Sequence, residues 1–93
     1  MSVVIVGGNE CMERQYKELC REYGCSARVY TKTSRMSGKT GTPDLLVLFT
    51  GTMSHKMLQS TLSEIKGKST IVARSHSSSI SALKGILETH AAG

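Results

Sequence analysis

The chain has 93 residues, 39% of them hydrophobic and 20% charged, with a formal net charge of +5. That length makes one small domain, residues 1–93, with a modest core and excludes a second domain; the longest apolar runs are strand-sized, which excludes a transmembrane helix and any membrane partner of that kind. Aromatics at 4% leave few stacking platforms for single-stranded nucleic acid, so the positive charge alone does not name a partner.

Met1-Ser2-Val3-Val4-Ile5-Val6 starts directly with a strand-like run and lacks the basic region and cleavage site of a signal peptide, so a cytoplasmic protein is expected. Cys11, Cys20 and Cys25 are odd in number and lack CxxC spacing, and they read as free thiols. Val3 to Val6 is mostly β-branched and breaks at Gly7-Gly8, as suits a parallel strand buried on both faces. Asn9 can cap a following helix that places Met12, Tyr16, Leu19, Cys20 and Tyr23 on one face and stops at Gly24. On the other face Glu10/Arg14 and Glu13/Lys17 are expected as i,i+4 pairs.

Ala27 to Tyr30 reads as a second, shorter strand. Between Thr31 and Pro43 the periodicity is lost among Gly, Thr, Ser and Lys, with Met36 the one large apolar residue, and Arg28, Lys32, Arg35 and Lys39 make the region basic. Leu45 to Phe49 is the clearest buried strand. Ser54 caps a helix that turns Met57, Leu58, Leu62 and Ile65 inward and stops at Gly67; Thr70 to Ala73 is the fourth strand. Ile80, Leu83, Ile86 and Leu87 then recur at helical spacing to about His90.

This alternation predicts an α/β fold: a small three-layer Rossmann-like or flavodoxin-like sandwich on a four-stranded parallel sheet of order 2-1-3-4. Right-handed crossovers put the first and last helices on one face and the middle helix on the other. With Met36 as its only large apolar residue, the crossover covers that second face poorly, which predicts a homodimer through it.

Ligands of open parallel sheets bind beyond the carboxyl ends of the strands, where the strand order reverses. Three loops are expected to converge there. Gly7, Gly8 and Asn9 lead into a helix start, where backbone can approach a phosphate or carboxylate. Ser54 and His55 open the middle helix. Arg74, His76, Ser77, Ser78 and Ser79 lead into the last helix and offer a charge, hydroxyls and free N–H groups to an oxyanion. His55 and His76 are the candidate acids or bases, and the only candidate ligands should a metal or haem be bound; with no HxH, HExxH or matching carboxylate, a preformed zinc site is not expected. No carboxylate falls in the expected crevice loops, since Asp44 lies at the amino end of its strand. Cys11 reads as a small residue at a crowded helix start rather than a nucleophile.

Val6-Gly7-Gly8, Tyr16, Asp44, Ser54-His55 and the run Arg74-Ser75-His76-Ser77-Ser78-Ser79-Ile80-Ser81 together resemble a bacterial family, domain of unknown function 2325, over nearly the whole chain. The resemblance implies a compact α/β fold and the same crevice. Family members often carry His-Asp-Gly-Gly after the second strand and a cysteine shortly before the Ser-His pair. Tyr30-Thr31-Lys32-Thr33 and Thr52-Met53 stand there instead, so a metal, haem or redox role resting on those groups is not carried over.

The expected function is a small-ligand binding module, a sensor or accessory protein, that holds an anionic or phosphorylated small molecule at the carboxyl edge of the sheet. The alternatives are an enzyme using His55 or His76 as acid or base, haem or metal binding through the same histidines, and nucleic-acid binding through the basic 28–39 segment.

Overall fold

The computed structural model describes residues 1–30, 43–67 and 69–90. Strands β1 (Ser2–Gly7), β2 (Ser26–Tyr30), β3 (Leu45–Phe49) and β4 (Ile71–Ser75) form one parallel sheet in the order β2-β1-β3-β4. Helices α1 (Glu13–Glu22), α2 (His55–Glu64) and α3 (Ile80–His90) pack on it, so the fold class and strand order are as expected. The basic positions Lys32, Arg35 and Lys39 lie outside the described residues, as does Met36.

The central strands are apolar on both faces because both faces are covered. Val3, Ile5, Leu45, Val47 and Ala73 pack with Tyr16, Cys20, Leu83 and Leu87 beneath α1 and α3. The alternate residues Val4, Val6, Leu46 and Leu48 pack with Ile65, Met57, Leu58 and Leu62 from the α2 side. Each fully buried aliphatic side chain of this kind contributes about 1.5–3 kcal/mol. Val4, Val6, Leu46 and Leu48 are 0–1% exposed within a single chain. The apolar surface on which a dimer through this face was expected to rest is therefore already covered.

Two local expectations change. Asn9 does cap the segment after β1, with its Oδ1 accepting from the Cys11 N–H at 2.9 Å, but the first turn, Glu10–Met12, is a 3-10 turn and α1 proper starts at Glu13. Glu10 is thus out of α-helical register with Arg14. Among the described residues Arg14 instead pairs through Nε with Glu18 Oε1 at 3.2 Å, on side chains 90% and 59% exposed, where such pairs contribute little. The fourth strand also runs further than its apolar residues indicate, because pairing with β3 continues through Leu48↔Arg74 and Phe49↔Ser75. Arg74 is consequently a strand residue, not a loop residue.

At the end of α1 the Gly24 N–H donates to the Arg21 carbonyl and the Cys25 N–H to the Cys20 carbonyl, both at 2.9 Å, which is the Schellman pattern. The motif brings its two flanking apolar positions, Cys20 and Cys25, into the core, where they are 0% and 7% exposed. Burial, with a smaller contribution from Cys25, pushes the Cys20 thiol up to about 11, whereas Cys11 is exposed. Because only an accessible thiolate is alkylated readily, native protein at neutral pH is expected to take up about one equivalent of a maleimide, at Cys11, and denatured protein about three. Peptide mapping after a timed quench checks this; rapid labelling of Cys20 in native protein would contradict the burial.

Candidate functional site

At the carboxyl end of the sheet the chain leaves β1 through two glycines with positive φ, Gly7 at 86° and Gly8 at 89°. The space leaves no alternative to glycine. A Cβ on Gly7 would lie 2.9 Å from the Phe49 carbonyl oxygen, from Met53 Cγ and from Thr52 Oγ1, and one on Gly8 would meet the Phe49 and Tyr16 rings at 3.0 Å. This close approach lets the Gly8 N–H donate to Thr52 Oγ1 at 2.6 Å, while the Thr52 hydroxyl donates to the Phe49 carbonyl at 3.0 Å. The loops after β1 and β3 are thereby joined at the point where the strand order reverses.

Tyr16 joins the third loop. Its ring is fully buried and lies against Phe49, with centroids 5.4 Å apart. Its hydroxyl accepts from the Asn9 N–H at 3.2 Å and donates to the Ser78 carbonyl at 2.6 Å. The loops after β3 and β4 also touch directly: the Thr50 hydroxyl reaches the Ser75 carbonyl at 3.4 Å, and Gly51 sits so close to the His76 carbonyl that a Cβ there would collide with it. Convergence of three loops is therefore real, and it is achieved through hydrogen bonds that the loops make with one another.

Those bonds consume part of the donor set expected for an anion. The N–H groups of Gly8, Asn9 and Cys11 go to Thr52, Tyr16 and Asn9 respectively. Ser79 is the N-cap of α3, its hydroxyl accepting from the Ala82 N–H at 3.2 Å, and Ser77 Oγ contacts Ser79 Oγ at 3.1 Å and accepts from the Ser79 N–H at 3.3 Å. Ser54 likewise caps α2, accepting from the Met57 N–H at 3.1 Å. His55 Nε2 lies 2.9 Å from the Gln59 amide nitrogen one turn along; since that nitrogen only donates, the imidazole atom is the acceptor.

An open cleft of about 500 Å³ lies between the first two loops, lined by Gly8, Asn9, Glu10, Cys11, Gly51 and Thr52. Of the residues expected at the site, Gly8 and Asn9 line it and Gly7 shapes its floor. Ser54, His55, Arg74, His76 and Ser77 to Ser79 are not in its wall, although Gly51 places the His76 backbone next to it. Arg74 leaves β4 on the α2 side, since its register partner Leu48 belongs to the core beneath α2 and the preceding Ala73 to the opposite core. It therefore does not share a face of the sheet with the serines that open α3.

A family model described as an uncharacterized protein conserved in bacteria, DUF2325, matches residues 2–90. The chain belongs to the DUF2325 family. No curated protein and no solved structure matches it. The match spans all three loops of this DUF2325 domain, so the cleft belongs to the part of the chain that the family model describes.

Sequence reasoning missed several residues of the DUF2325 cleft. Glu10 brings a carboxylate into a crevice expected to have none, because the 3-10 turn that carries it forms part of the wall. Thr52 and Tyr16 act through long-range bonds, 44 and 62 positions apart along the chain, which no local pattern announces. Among the described residues no group of three or more His, Cys, Asp or Glu side chains could hold a metal ion, and no helix is long and apolar enough to cross a membrane.

Proposed function

We propose that this DUF2325 domain is a small-ligand binding module, a sensor or accessory protein, whose ligand enters the cleft between the loops after β1 and β3. The observation that carries this reading is the cleft itself: about 500 Å³, at the strand-order reversal, on a floor held by two glycines that accept no side chain. Its ligand carries an anionic or phosphorylated group on the side facing α3. Glu10 lines the cleft from the 3-10 segment, and the first turns of that segment and of α1 hold Glu10 and Glu13, whereas the first turn of α3 has no acidic residue. His76 and Ser77, both exposed, precede that turn. Three free cysteines favour the cytoplasm as its compartment. Pairing with a second copy retains one support, the edge strand β4, where Ile71 is 47% exposed.

Thermal unfolding with phosphate, nucleoside mono- and triphosphates and neutral nucleosides tests the reading. A ligand at about 100 times its Kd stabilises by about 2.7 kcal/mol. The phosphorylated members are expected to raise Tm and the neutral ones to do so less; Glu10→Gln should enlarge the rise and Ser77→Glu abolish it. No rise with any phosphorylated compound, or indifference to both substitutions, would overturn the proposal.

A further inference from the structure

Among the described residues the two faces of the sheet differ in their balance of charge. Along α1, acidic and basic residues alternate, from Glu13 and Arg14 to Arg21 and Glu22, and partly neutralise one another. On the α2 side the pattern differs. Arg28 stands between Ala27 and Val29, which both face α1 and α3, so its side chain leaves β2 on the α2 side, as Tyr30 does. Arg74 leaves β4 on that same side, and Lys56 and Lys66 are exposed at the start of α2 and just past its end. The acidic residue of α2, Glu64, is half-buried, and Asp44 sits at the amino end of the sheet, where its Oδ2 accepts from the Ser2 N–H at 2.7 Å.

The outward face of α2 completes the surface. His55, Lys56, Gln59, Ser60 and Ser63 are exposed there, all of them basic or neutral hydrogen-bonding groups, while Met57, Leu58 and Leu62 turn inward. We propose that this side of the domain docks on a B-form DNA duplex, α2 facing a groove and Arg28 and Arg74 on the flanking phosphates. The two arginines stand on opposite edge strands, three strand spacings apart and two residues out of register, which separates them by about 16 Å, enough to straddle a major groove about 12 Å wide. A single strand is disfavoured because bases need exposed aromatic platforms, and this side offers only Tyr30, which is half-buried against the α2-side core, while Tyr16 and Phe49 lie in the opposite core. A lipid surface is disfavoured because the exposed large apolar residues among those described, Met1 and Ile71, are not on α2.

Anisotropy of a labelled duplex of about 20 base pairs, titrated with the full chain over a range of salt, tests the proposal. Binding at low salt is expected to weaken with a log–log slope of about −3 to −4, for four neutralised phosphates. Lys56→Glu and Arg74→Glu should each weaken binding at least about fivefold and flatten the slope by about one. Lys17→Glu, on α1, changes the net charge equally and should alter affinity by less than about twofold. All three positions are exposed, and circular dichroism checks that each variant folds. The proposal is overturned if no duplex binds at low salt, if Lys17→Glu weakens binding as much as Lys56→Glu, if a single strand binds more tightly than the duplex, or if the chain binds phosphatidylserine vesicles in place of DNA.

Discussion

Gly7→Ala is expected to destabilise the domain by about 2–5 kcal/mol, combining a left-handed backbone cost of about 1–2 with an overpacking cost of about 1–3. The new methyl would press on the Phe49 carbonyl oxygen, a backbone atom committed to the end of β3, as well as on Met53 and Thr52. The Met53 side chain can turn away, but the Phe49 carbonyl and the Thr52 hydroxyl cannot retreat without disturbing the Gly8 to Thr52 bond that closes the cleft floor. For a domain of this size each kcal/mol lowers Tm by about 4–8 °C, and a total stability of about 5–14 kcal/mol leaves little reserve. Urea unfolding of the variant measures the loss. A change below about 0.5 kcal/mol, the range of ordinary surface substitutions, would mean that the turn does not adopt the tight geometry described.

The second large effect is expected from Tyr16→Phe. The substitution keeps the ring and its contact with Phe49 but leaves the Ser78 carbonyl without its donor and the Asn9 N–H without its acceptor. Leaving a fully buried polar group unpaired costs about 1–3 kcal/mol; Ser78 is half-buried and Asn9 exposed, which puts the loss here at about 1 kcal/mol. The consequence reaches beyond stability, because this hydroxyl ties the start of α3 to the loop after β1. Amide exchange at Asn9 and at the first turn of α3 should rise in the variant by more than global destabilisation accounts for, while amides of β1 and β3 follow the global change. Uniform acceleration across the chain would mean that Tyr16 acts only through packing. The same substitution is expected to weaken the proposed phosphate-dependent stabilisation, since it loosens the start of α3 from the loop after β1.

The two substitutions also separate what was legible along the chain from what was not. Gly7-Gly8 after an apolar run signals a tight turn at a strand end, and the structure has one there. That its amide would be taken up by Thr52 was not legible, because the partner lies 44 positions away. Tyr16 was recognised as one of the inward residues of α1 from helical spacing, and it is fully buried. Its hydroxyl, the part that organises the site, gives no periodic signal. The serines before α3 illustrate the opposite case: their density suggested an anion cradle, and the structure employs Ser79 as the helix cap and Ser77 to hold Ser79.

The sequence by itself determined the four strands, the three helices, the order β2-β1-β3-β4 and the assignment of helices to faces. These rest on properties that are local or generic: the length of apolar runs, the periods of two and 3.6, capping residues, and the handedness of parallel crossovers. Tertiary structure alone decided the geometry of the candidate site. A strand's side chains alternate, so the face on which Arg74 emerges depends on how far β4 continues to pair with β3 and not on the arginine itself. Whether a backbone N–H in a loop is free for a ligand depends on which distant hydroxyl reaches it first, and here Thr52 and Tyr16 do so.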